Sequence, residues 1–175
     1  MIYDLLTKLK RDVRYRLVSY GILIPILSLI QVTFIPIINI EGFTPDLILI
    51  LVVWISLSEG RFVGTIAGFF AGLVLDASSF ELLGVHALSK TIAGFFAGMW
   101  FKEDRVYQNT RSLKFLLITA GAAIISNLIY YLLYMDIKTF DWTSYFFQSV
   151  PASAAYTAII ASIPMLLFTR RKREF

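Results

Sequence analysis

The chain has no cysteine, one histidine and few charges, and each shortage removes a class of function. Without cysteine there is no disulfide, no thiolate metal site and no cysteine nucleophile. His86 is the only imidazole, so any site built on histidine must use that residue. No phosphate-binding glycine loop, zinc-protease helix motif or nucleophile elbow occurs. Charged residues make up 16% and hydrophobic residues 58% of the 175 residues, against roughly 25% and 45–50% in ordinary soluble domains. Such a composition belongs in a bilayer. With about 20 residues needed per crossing, the length allows about six crossings and implies a single compact membrane domain.

The net charge of +4 raises the question of nucleic acid, and its placement argues against that partner. Of sixteen Lys and Arg, all but Lys90 and Lys138 fall before the first apolar run, at Arg61, between Lys102 and Lys114, or in the tail from Arg170 to Arg173. Those positions share one side of a six-helix arrangement, and the positive-inside rule puts both termini in the cytoplasm. The first apolar run begins near Leu17, is long enough to span and has no small-residue cleavage site, which predicts a retained helix.

Three regions follow. Residues 1–16 place Ile2, Leu5, Leu6, Leu9 and Val13 at helical spacing among Lys8, Lys10, Arg11 and Arg14, a basic amphipathic cytoplasmic leader suited to anionic lipid. Residues 17–169 form the membrane domain, and 170–175 a basic cytoplasmic tail. The predicted helices run Leu17–Ile35 with a bend at Pro25, Pro45–Leu57, Phe62–Leu75, Val85–Phe101, Phe115–Leu133 and Val150–Phe168. The second and third reach only about 20 Å over their apolar runs, yet charges at their far ends and at their shared turn favour spanning over re-entry. Tyr134–Gln148, with Phe140, Trp142 and Tyr145, has the aromatic density of a headgroup-level belt.

The densest patterning lies between Pro45 and Gly98. Gly60, Gly64, Gly68 and Gly72 recur every fourth residue, and TIAGFFAG occurs at Thr65–Gly72 and again at Thr91–Gly98. Small residues at that period let helix backbones approach closely in lipid, so the third and fourth helices are natural partners through Gly64, Gly68, Gly72, Gly94 and Gly98. Asn127, deep in the fifth helix, reads as an interhelical hydrogen-bond donor.

Asp46, Asp76, Glu81, His86 and Lys90 gather at the outer ends of three helices, where ionisable groups mark a site unless paired or hydrated. Plainer roles compete: Asp46 complementing a helix dipole after Pro45, Asp76 ending a helix in water, Lys90 snorkelling outward. A Ser-His-Asp assembly from Ser78 or Ser79, His86 and Asp76, or a metal site from Asp76, Glu81 and His86, has no supporting spacing. Glu59 and Arg61 flank Gly60 at the inner turn, paired with each other or facing a partner.

In order, Pro45-Asp46, Glu59-Gly60-Arg61, Gly64, Gly68, Gly72, Asp76, Leu83-Gly84 and Ala87-Leu88 resemble the rod shape-determining protein MreD family, with departures at His86 and at Phe80-Glu81-Leu82-Leu83. The resemblance implies an all-α polytopic protein of the bacterial inner membrane, a six-helix bundle similar to the substrate-binding subunits of energy-coupling-factor transporters. It further implies a non-enzymatic scaffold without cofactor. Such a scaffold binds MreC and, through it, links the cytoskeletal MreB to the elongation glycosyltransferase and transpeptidase. Pro45, Asp46, Glu59, Gly60, Arg61, Asp76 and Gly84 carry the motif. Membrane lipids and a second copy of the chain are further partners. The rival implied by the same fold is a vitamin-binding transporter subunit, which requires a pocket with several convergent polar groups; the sequence shows few candidates for one.

Overall fold

A computed structural model describes residues 2–38, 43–79, 82–134 and 149–170; Glu81, Lys138 and residues 135–148 of the aromatic segment lie outside them. The described residues are helical throughout their main elements. α1 spans Ile2–Thr33 and continues without a break through the leader and the first apolar run, with Pro25 inside it. A 3₁₀ turn at Ile35–Ile38 follows.

α2, Leu47–Glu59, starts where it does because Asp46 caps it, its carboxylate accepting from the Leu49 N–H at 2.8 Å. It stops at Gly60, whose φ of +96° is a conformation that side chains resist. α3 begins at once and runs Arg61–Ser79, a full turn beyond the predicted end at Leu75. α4 covers Val85–Gly98. The basic loop holds a 3₁₀ turn at Glu103–Arg105 and a short α5, Val106–Thr110, within a stretch whose sequence predicts only loop. α6, Leu113–Tyr134, and α7, Val150–Arg170, complete the described fold.

Among the described residues, three helices are long and apolar enough to cross a membrane: Tyr15–Thr33 within α1, all of α3, and Leu113–Leu133 within α6; α2 and Val150–Leu166 are apolar but shorter. The exterior agrees with a lipid setting. Val18, Leu29, Phe70, Leu117 and Ile159 are all more than half exposed, which water would penalise by roughly 1.5–3 kcal/mol per side chain. α2 is the opposite case, with Ile48, Leu49, Val52, Val53, Ile55 and Leu57 all buried at its centre, packed by α1, α3, α4, α6 and α7.

The α3–α4 pair is the most extensive helix contact. A Cβ on Gly94 would lie 2.5 Å from the Gly64 carbonyl oxygen, one on Gly72 would lie 2.5 Å from the Ala87 Cα, and one on Gly68 would lie 2.8 Å from the Lys90 carbonyl carbon. Gly98 faces Arg61 in the same way, and Gly64 also abuts Ser56 of α2. The two backbones therefore run antiparallel in direct contact, and this seam sets where the polar side chains of α4 point.

Candidate functional site

At one end of the bundle the helices meet through polar groups. Lys90, in the second turn of α4, is 2% exposed, and its ammonium forms an ion pair with the Asp46 carboxylate and donates to the Ser126 hydroxyl of α6 at 3.0 Å. The Asp46 N–H donates to Thr157 Oγ1 of α7 at 3.2 Å. Gln31 of α1 donates to the Pro45 carbonyl at 3.0 Å and accepts from the Leu47 N–H at 2.8 Å. One Pro-Asp step thus ties α1, α2, α4, α6 and α7 together. Lys90 does not snorkel outward: it stands one turn before Gly94 on the strip of α4 whose backbone meets Gly68, and from that seam its side chain runs into the bundle to Asp46 and Ser126.

Asp76 is fully buried and does not end a helix in water. Its carboxylate accepts from the N–H groups of Gly84 at 2.8 Å, His86 at 3.0 Å and Ala87 at 3.1 Å. Those donors open α4 and have no partner within it, so a side chain from α3 caps its neighbour across the turn. Gly84 sits there with φ +104°, in the left-handed region. The carboxylate is thereby committed to backbone donors. Ser78 donates back into its own helix, to the Val74 carbonyl at 2.7 Å, and the His86 ring stacks on Tyr130 at 4.6 Å. These groups do not assemble as a nucleophilic triad, and the described residues hold no cluster of three metal-ligating side chains.

At the other end, Glu59 and Arg61 do not pair with each other. Glu59 is only 12% exposed and takes an ion pair from Arg16 at 3.2 Å and a hydrogen bond from Tyr20 at 3.2 Å. The Arg61 guanidinium lies over the Phe95 ring, 5.2 Å from its centre. Of the charged motif residues, Arg61 alone remains exposed.

The polar end holds a partly open cavity of about 550 Å³, within the range typical of small-molecule sites. Its walls include Gln31, Asp46, His86, Lys90, Asn127 and Ser153. Asn127 faces this cavity, and its neighbour Ser126 makes an interhelical hydrogen bond by accepting from Lys90. Gln31, Ser126 and Thr157 escape a reading of the sequence because each is one uncharged polar residue among several on its apolar helix, and nothing local marks which of them meets another helix. The one available signal for Gln31 is that it is the only amide in its apolar run.

These features define a helical membrane protein whose polar residues are turned inward to lock its helices together. The family model for the rod shape-determining protein MreD matches residues 12–171, and the chain belongs to that family. Membership implies a role in rod shape determination, in a family of structural proteins and not a known family of enzymes. No curated protein and no solved structure matches the chain.

Proposed function

We propose that the chain is a non-enzymatic scaffold of the cell-wall elongation machinery, crossing the bacterial inner membrane six times with both termini in the cytoplasm. It binds MreC and through it links the MreB cytoskeleton to the elongation glycosyltransferase and transpeptidase. The observation that carries this reading is the family match over nearly the whole chain. Two further features support it. The motif acids Asp46 and Asp76 are spent on holding the fold, and an apolar groove of about 500 Å³ runs between α1, α2 and α7, lined by Leu23, Ile50, Trp54 and Ile163. A partner's membrane helix would lie along such a groove.

The polar cavity favours a second reading, a solute-binding subunit of a vitamin transporter, since it supplies the convergent polar groups that reading requires. Depletion of the chain in its host separates the two. The scaffold reading predicts that rods widen and round within a few generations in any medium, and that re-expression restores width. Normal rods whose growth defect is cured by a vitamin supplement would instead establish the transporter reading.

A further inference from the structure

We propose that a second cavity, between the end of α4, α5 and the start of α6, binds an anionic phospholipid, its phosphate among Lys102, Arg105 and Lys114 and an acyl chain against Phe96, Leu117 and Ile118. This cavity of about 450 Å³ lies at the end of the bundle opposite the Asp46–Lys90 pair.

The three cations come from separate elements: Lys102 follows α4, Arg105 closes the 3₁₀ turn, and Lys114 stands in the first turn of α6. Among the described residues no carboxylate lines the cavity with them; Glu103 and Asp104 adjoin in sequence but are exposed outside it. Three like charges held at one rim repel unless an anion lies between them. The rim is built, not loose: the buried Asn109 of α5 donates to the Trp100 carbonyl at 2.9 Å, fixing α5 across the end of α4.

Below the rim the lining turns apolar. Phe96 packs edge-on to Trp100 at 4.6 Å, and Gly121 lets the Phe96 ring lie against α6, since a Cβ there would already be 3.3 Å from it. Leu117 is 72% exposed, so the trough opens sideways to where lipid would be. A cationic mouth over an apolar trough beside a tryptophan fits a phosphodiester carrying a hydrocarbon chain, at the depth where basic pockets between membrane helices hold lipid headgroups. Free phosphate would use only the mouth, and an uncharged lipid only the trough.

Native mass spectrometry of the full chain in detergent, titrated with phosphatidylglycerol or phosphatidylcholine, tests this. The chain should retain phosphatidylglycerol at least tenfold over phosphatidylcholine. The Lys102→Gln/Arg105→Gln/Lys114→Gln variant should lose that retention by about a hundredfold, near fivefold per cation, while Lys102→Arg/Lys114→Arg keeps it. Should the triple variant fail to insert, Lys114→Gln alone carries the test through a loss of about fivefold. Equal retention of both lipids, or unchanged retention in the Gln variants, overturns the proposal. Displacement of the lipid by 10 mM inorganic phosphate would make this a soluble-phosphate site and overturn the lipid assignment.

Discussion

Lys90→Met is expected to destabilise the folded bundle by about 3–5 kcal/mol, because it leaves the Asp46 carboxylate without its counter-charge among packed helices. The partner change tells the pair from its parts. Asp46→Asn keeps an effective helix cap for the Leu49 N–H while removing the charge that Lys90 needs, so the single variant should lose a comparable amount. Combining the two removes both charges at once, and the double variant is expected to recover a coupling of about 2 kcal/mol or more relative to additivity. Reversible unfolding in mixed micelles measures all four corners of this cycle. Losses that simply add would mean that the ion pair does not join α2 to α4 as described.

Gly68→Leu is expected to abolish assembly. The α3 and α4 backbones touch where its side chain would begin, with a Cβ already within 2.8 Å of the Lys90 carbonyl carbon. Overpacking a core that can yield typically costs about 1–3 kcal/mol, and here the obstacle is backbone, which yields least. The effect would also reach the polar site, since Lys90 itself lies on the strip of α4 that Gly68 accommodates. Gly21→Leu is the matched control, because a Cβ at Gly21 meets nothing within 4 Å and such surface changes usually stay within about 0.5 kcal/mol. Size-exclusion profiles of the two proteins in mild detergent should differ accordingly: a single sharp peak for Gly21→Leu and aggregate or loss for Gly68→Leu.

What could be read from the residues and what could not divide along a physical line. Patterns local in the chain were legible: the four-residue glycine period names a face of one helix, Pro-Asp marks the start of α2, and Gly60 marks a turn that only its φ of +96° explains. Partnerships between distant segments were not. Glu59 finds Arg16 on α1 and not Arg61 two residues away, because the hairpin turn aims the neighbouring side chains apart. Counting basic residues locates Lys90 at one end of its helix but not its direction, and that direction depends on the glycine seam behind it. α3 outruns its predicted end at Leu75 for a related reason. A carboxylate ordinarily signals water, and Asp76 finds three backbone N–H groups of α4 in its place. The cavity follows from the same limit, since its walls draw on five helices, most of them with only one or two polar residues apiece.

The most direct test of the scaffold reading is to tag the chain at its C-terminus in its native host, extract it in mild detergent and identify what copurifies by quantitative mass spectrometry. MreC together with the elongation glycosyltransferase and transpeptidase, enriched over an untagged control, is the predicted result. Recovery of a transporter ATPase pair with MreC at background would contradict it and make the polar cavity around Asp46 and Lys90 a solute site.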